Sequence, residues 1–415
     1  MQASNPWFWL ALFATVGLYK LELFAILLNL KSLAPTVPDK LKDWMNQEQL
    51  ERAQEYARTN ARLEVIESSV NLGIFITFWW SGGFHAMDEW IQGWGLNALF
   101  TGLAVFAVFS VAQSLLSLPF EIYHTFFVEA EFGFNRTTIH TFIMDRMKGL
   151  VLLTAMGGPL LAVILWLFAH VPLAALYGWL ILTAFSLAMT FLSPRLLLPL
   201  FFKFQPLPDE QLKSEIVAMS ERLQFPVGDV SLVDGSRRSA KANAFFTGVG
   251  RLKRIAIFDT LVENHSREEI LAVLAHEIGH SKRKHVPRQI ALSLATSALM
   301  FTLLHFAVHD PRLTAAFGVT PPTTAWSLLF FGILYQPIST ALGWVTSWLS
   351  RKYEFEADAY AREAMGGPSS LSSALIRMSR DHLSNPTPHP FYVFLHHTHP
   401  PVLQRLEALE GSTAG

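Results

Sequence analysis

Hydrophobic positions in this chain fall into long unbroken runs, with neither the period of two of a half-buried strand nor the narrow stripe of a soluble amphipathic helix. Runs of about 20 residues, enough for a helix to cross a hydrocarbon core of roughly 30 Å, occur at approximately Trp7 to Leu30, Val70 to Trp90, Leu96 to Phe120, Gly149 to His170, Pro172 to Phe202, Ile290 to Val308 and Ala325 to Leu349. The pattern predicts seven transmembrane helices in a mainly α fold. Lys20 and Glu22 interrupt the first run. Charge facing lipid is costly, so they are expected to face protein or water in a structural pairing.

Polar stretches punctuate these runs. Residues 38–67 are rich in Glu, Gln, Arg and Ala with no proline after Pro38, which predicts a helix projecting from the membrane with a solvated face. The loop Glu129-Ala-Glu-Phe-Gly-Phe-Asn-Arg136 is aromatic and polar, and reads as a turn at the membrane interface. From Lys203 to Arg288 the chain takes on a soluble character. Val230 to Val233 and Arg254 to Phe258 read as strands, with Asn243 to Gly248 as a third between them. Ser266-Arg-Glu-Glu269 is a capping box, and Ile270, Val273, Leu274 and Ile278 follow at helical spacing. The chain thus divides into residues 1–202 with five membrane helices, 203–288 as the first part of a small α+β domain, 289–350 with two more helices, and 351–415 as the second part.

Composition agrees: 51% hydrophobic and 16% charged residues in 415, with a mean hydropathy of +0.31, describe a polytopic membrane protein. A net charge of −1 offers no electrostatic footprint for nucleic acid. The absence of cysteine excludes disulfides and thiolate metal ligands. Residues 1–6 lack a basic residue and the run after them is too long for a signal-peptide core, so no cleaved signal is expected. Segments 31–67, 119–148, 203–288 and 351–415 carry 6, 3, 14 and 6 Lys plus Arg, whereas 91–95, 171 and 310–324 carry 0, 0 and 1. By the positive-inside rule the charged segments are cytoplasmic and the N-terminus is outside.

The capped helix carries His276-Glu277-Ile-Gly-His280, an H-E-x-x-H pattern. Residues i and i+4 share a helix face, so both imidazoles can reach one Zn²⁺, while Glu277 sits beside the ion as a candidate general base. Two histidines leave the site incomplete. A third ligand is sought in Arg351-Lys-Tyr-Glu354-Phe-Glu356-Ala-Asp358, where Glu354 and Asp358 share a face: one can bind the metal while the other holds the free N–H of a ligand histidine. Glu356 points elsewhere and reads as a surface charge. His305 and His309 also stand four apart but lie at the opposite end of a membrane run and are assigned to the interface. His389, His396, His397 and His399 in the tail are not taken as ligands. An edge strand at Ala244 to Gly248 would suit an extended substrate through main-chain pairing, an ordinary hairpin being an equal alternative.

Taken together, His276-Glu-Ile-Gly-His280, Glu354-Phe-Glu-Ala-Asp358, and His399-Pro-Pro followed by Arg405, interleaved with membrane runs, resemble the type I CAAX prenyl proteases, integral-membrane zinc endopeptidases related to HtpX. Glu131-Phe-Gly-Phe-Asn-Arg136, Asn243-Ala244-Phe245-Phe246-Thr-Gly248 and Ile257-Phe-Asp-Thr-Leu261 resemble that family as well. The resemblance implies that Glu354 is the third zinc ligand, that Glu277 is the base, that His399 and Arg405 contact substrate or transition state, and that the helices enclose a large water-filled chamber. Thr247 departs from the aromatic residue of eukaryotic members, and the cysteine-free sequence and compact loops suggest a bacterial inner membrane. The expected partners are the bilayer and a peptide or protein substrate, with or without a prenyl group.

Two other functions stand beside it. An HtpX-like quality-control protease would have fewer spans and a shorter N-terminal half. A non-catalytic membrane protein with a relic motif, using Lys20 and Glu22 as a proton path, would not need an intact ligand set with its base.

Overall fold

The computed structural model describes residues 4–247 and 254–411. The first element is α1 (Pro6–Lys31), started by the Asn5 side chain accepting from Trp7 N–H and by a proline in the first turn. Then come α2 (Gln47–Trp80), α3 (Gly83–Gln92), α4 (Ala98–Glu131), α5 (Ile139–His170) and α6 (Ala174–Phe201). Among the described residues, α1, α4, α5, α6, α9 (His285–Ala307) and α10 (Thr324–Met365) are long and apolar enough to cross a membrane, which makes six.

The second predicted run, Val70 to Trp90, is not one helix. Its first part is the apolar end of α2, continuous with the polar helix expected at 38–67. At Gly82 the backbone turns with φ of 80°, where a side chain would be strained, and α3 follows as a separate helix. The apolar count read through that turn because the turn has almost no polar residues of its own. The last predicted run ended at Leu349, but α10 continues as one 42-residue helix through the acidic segment to Met365. Glu354 and Asp358 are therefore rigidly connected to a membrane helix.

Between α1, α2, α4 and α10 lies a cavity of about 580 Å³ lined by Glu22, Ser68, Asn71, Gln113, Gln336 and Thr340. These polar side chains face the cavity, while Val70, Ile74 and Phe78 of α2 are exposed. Glu22 finds a partner in His396, 3.0 Å away, so of the two charges in the first run Glu22 is paired, with the C-terminal tail, while Lys20 is exposed.

The soluble part is a four-stranded sheet of β1 (Phe204–Pro206), β2 (Asp229–Val233), β3 (Ala244–Thr247) and β4 (Arg254–Phe258) in the order β1-β2-β4-β3. β2 and β4 are parallel and the outer pairs antiparallel, so β3 is an edge strand as expected; Gly248 lies outside the described residues. The three-residue β1 was missed because it is too short to show a period. Helix α7 (Glu210–Arg222) and the capped α8 (Arg267–Lys282) cover the sheet, with Val230, Ile255, Ile257, Leu274 and Ile278 in one buried core. The chain ends in α11 (Ser369–Asp381), α12 (Pro390–His396) and α13 (Val402–Gly411).

The loop at 129–136 does more than turn at an interface. Asn135 bridges Ser239, Ala240 N–H donates to Phe134 O at 3.1 Å, and Lys241 Nζ lies 3.2 Å from Glu129. From the other side Ala242 N–H donates to His382 Nε2 at 3.0 Å. The approach to β3 is thus clamped between a membrane-helix loop and the C-terminal segment. Burial, reinforced by the charge of Lys241, lowers the His382 pKa to about 4, which keeps the ring neutral and able to accept that bond.

Candidate metal centre

α8 is long enough for one productive face. The capping box at Ser266 and Glu269 fixes where the helix starts, and about three and four turns later His276 and His280 stand one above the other. α8 packs directly on α10, and at Gly279 the approach is tight enough that an added Cβ would meet Ala357 Cα and O at 3.2 Å. That approach brings Glu354, on the α10 turn preceding Ala357, up to both histidines.

The three donors form a nearly equilateral triangle. His276 Nε2 and His280 Nε2 are 3.1 Å apart, His276 Nε2 is 3.4 Å from Glu354 Oε2, and His280 Nε2 is 3.3 Å from Glu354 Oε1. Ligands held at 2.0–2.1 Å from one ion with tetrahedral angles stand roughly 3.3 Å from each other, so the residues fit a metal. Glu354 is 4% exposed and its Oε2 accepts no hydrogen bond, with the Arg405 guanidinium 3.6 Å away, a state of a buried carboxylate oxygen that a bound cation would relieve further. Among the described residues, His276, His280 and Glu354 are the one group of three donors close enough to share an ion.

Around this triangle the remaining residues divide by position. Asp358 Oδ1 lies 2.8 Å from His276 Nδ1, on the side of the ring away from Glu354. Arg405 of α13 forks onto Asp358, with Nε at 2.8 Å from Oδ2 and Nη2 at 2.6 Å from Oδ1, while Nη1 is 3.6 Å from Glu354 Oε2. Arg405 is buried, and the fork that the resemblance would aim at a substrate is closed by Asp358. His399 is exposed at the rim, its Nε2 3.4 Å from Glu354 Oε1. Burial opposes a charge on His276, but hydrogen bonds to Asp358 and Glu354 override it and carry its pKa up to about 9. The pocket therefore attracts positive charge. Glu277 lies on α8 beside the ligands, and burial raises its carboxyl above the ordinary range, toward the values useful to a general base.

Asn243 is exposed and its main-chain O accepts from Phe258 N–H at 3.0 Å; Ala244 is buried, Phe245 and Phe246 are half-buried, and β3 lies against α8. The tail histidines other than His399 stand apart from the triangle: His389 accepts from Phe391 N–H, His396 pairs with Glu22, and His397 is a neutral half-buried ring, lowered to about 4 chiefly by burial. His309 Nδ1 bonds His305 O at 2.7 Å at the far end of α9. Two residues were missed. His285, buried at 1% exposure, touches His280 through paired Nδ1 atoms at 3.0 Å, and Glu356, read as a surface charge, lies 3.1 Å from His285 Nε2. Only the extra histidine five residues after the motif signalled the first, and helix-face counting along α10 alone could not signal the second.

Comparison with known proteins agrees with this architecture. Residues 26–203 match the model of the CAAX prenyl protease N-terminal region with five membrane helices, and residues 206–413 match peptidase family M48. A CAAX prenyl protease 1 homolog from Oryza sativa subsp. japonica is 33% identical over 91% of this chain and 90% of its own. CAAX prenyl protease 1 from Saccharomyces cerevisiae is 31% identical over 98% of this chain and 95% of its own. The crystal structure of S. mikatae Ste24p superposes with a TM-score of 0.92 at 29% identity, covering 98% of this chain and 99% of that one. A metal-competent triangle carried by a set of apolar helices long enough to cross a membrane defines an integral-membrane, multi-pass metalloendopeptidase. Within that class the chain belongs to peptidase family M48, in the family of the CAAX prenyl proteases 1.

If Asp358 orients His276, Asp358→Asn should weaken zinc binding by about 10- to 100-fold with the fold retained, because the amide keeps its size but loses the charge that anchors both His276 and Arg405. Chelator competition on the purified protein measures this, and wild-type affinity would remove Asp358 from that role.

Proposed function

We propose that the chain is a zinc-dependent endopeptidase that cleaves near the C-terminus of prenylated CAAX proteins, releasing the terminal tripeptide. The observation that carries the reading is the donor triangle of His276, His280 and Glu354 in a chain whose full-length relatives bear the CAAX protease name. In this reading those three residues hold the ion, with Asp358 orienting His276 and Arg405 orienting Asp358. Zinc when bound supplies Lewis-acid chemistry to the reacting water and the scissile carbonyl. Glu277 takes a proton from the attacking water on a carboxylate oxygen and gives it to the leaving amine nitrogen. His399, at the rim, presents Nε2 to the substrate as charge develops on its carbonyl oxygen, and Arg405 Nη1 contributes positive potential from behind. The main chain of Asn243 to Phe246 pairs with the peptide as one more strand on the β3 edge.

The same reading places four parts in the chain: membrane helices in 1–202, a first catalytic part in 203–288, membrane helices in 289–350 and a second catalytic part in 351–415. A seventh crossing is made by the apolar end of α2, prolonged by α3. Its support is that the matched N-terminal region, residues 26–203, is described as having five membrane helices, of which α4, α5 and α6 are three, while α1 lies mostly before it and α2 and α3 lie within it. The catalytic parts face the cytoplasm by the positive-inside count, and we place the protein in a bacterial inner membrane on its cysteine-free sequence and compact loops. The polar cavity between α1, α2, α4 and α10 is the place where a substrate segment would enter between the helices.

Glu277→Gln should keep full zinc content and lose nearly all turnover of a farnesylated CAAX peptide, since it removes a base but no ligand. Turnover of the unprenylated twin at the rate of the farnesylated peptide would favour a general membrane protease instead. In that assay Phe246→Pro, which deletes a strand donor, should abolish cleavage while zinc stays bound; normal cleavage would put the peptide elsewhere. Cysteines introduced singly at Ser236 and Thr320 of the cysteine-free chain should label from opposite faces of the membrane, Ser236 from the cytoplasmic one, and labelling of both from one face would mean that α9, the span between them, does not cross.

A further inference from the structure

An imidazole that ligates through Nε2 carries its proton on Nδ1, and a buried N–H left without an acceptor is destabilising. For His276 the acceptor is Asp358. For His280 the atom in that place is Nδ1 of another imidazole, His285, 3.0 Å away. The other nitrogen of His285, Nε2, lies 3.1 Å from Glu356 Oε2, and Arg288 Nη1 stands 3.8 Å from the same oxygen.

We propose that Glu356 and His285 are positioning residues for the metal site, a two-step relay that fixes the tautomer and orientation of His280. Only one arrangement of protons fits a neutral His285 between an ionised carboxylate and a metal ligand. Glu356 can only accept, so His285 donates from Nε2–H. That leaves His285 Nδ1 unprotonated, free to accept from His280 Nδ1–H. The lone pair of His280 Nε2 then faces His276 and Glu354. The charge of Glu356 thereby makes His280 a better donor from two rings away, as carboxylates behind metal-bound histidines do.

The backbone is bent to make this possible. Lys284, between α8 and α9, has φ of 58°, a left-handed conformation uncommon for a residue with a side chain. The turn brings the first residue of α9 back under the last turn of α8. There the His285 ring lies flat on Tyr353, at 4.2 Å and 11°, and is 1% exposed. Tyr353, Glu354 and Glu356 belong to one turn of α10, so the same piece of helix supplies the stacking surface, a ligand and the relay's terminal charge.

The relay rests on the reading of His280 as a ligand, and zinc affinity of the purified full-length protein, by chelator competition, tests the two separately. His285→Phe keeps a ring on Tyr353 but offers no acceptor, and should weaken zinc binding by about 10- to 100-fold. His285→Gln can present an amide oxygen to His280 and should recover most of that loss. Glu356→Ala, at a half-exposed position, should weaken binding, and Glu356→Gln, which still accepts from His285 but lacks the charge, should restore part of the loss. Wild-type affinity in His285→Phe, or equal weakening in His285→Phe and His285→Gln, overturns the relay and leaves His285 a packing residue. Wild-type affinity in His280→Ala overturns the ligand set itself, and with it the relay.

Discussion

The approach of α8 to α10 at Gly279 and Ala357 is the constraint on which the site depends. Two helices of ordinary side chains pack 8–10 Å apart, and at the upper end of that range a carboxylate on one could not complete a triangle with two imidazoles on the other. Gly279 has no Cβ, and one built there would meet the α10 backbone at 3.2 Å. Its absence lets Glu354 come within 3.3–3.4 Å of both histidines. A methyl group there would separate the helices by a few tenths of an ångström, a distance that matters little for folding and a great deal for three donors sharing one ion.

Collecting so many charges in a buried place requires that each be answered. Glu354 and Asp358 are both under 5% exposed, and breaking a buried ion pair by removing one partner typically costs about 3–5 kcal/mol. Arg405 is therefore a structural element of the centre. It enters from α13, at the far end of the chain, and neutralises Asp358 through a two-bond fork while its remaining nitrogen turns toward Glu354. The C-terminal segment is thus locked onto the centre, and the same segment reaches α1 through His396 and Glu22 and the approach to β3 through His382. Membrane helices, edge strand and metal centre are tied together by a tail that the sequence presents merely as polar and rich in histidine.

Much of this was legible in the sequence because it is local. A period of four puts His276 and His280 on one face, and Asp358 beside Glu354, whatever else the chain does. A capping box starts α8 where it must start. Long apolar runs have few alternatives to membrane helices, since backbone groups in lipid must be satisfied within the segment. β2, β3 and β4 lie where β-branched and aromatic residues cluster. The same locality explains the failures: a glycine turn inside an apolar run is nearly silent, so α2 and α3 were read as one helix, and three residues of β1 cannot display a period.

Sequence alone determined the chemistry available, namely imidazoles and carboxylates at helical spacing with a glutamate beside them, and the apolar setting in which they had to work. Tertiary structure decided which of those groups meet. That Arg405 faces Asp358, that Glu356 answers a histidine when face counting made it a surface charge, and that His285 stands behind His280 all depend on residues brought together from separate helices. Contacts of that kind leave no period along the chain, because they depend on how closely two helices can approach, and only the packed molecule sets that distance.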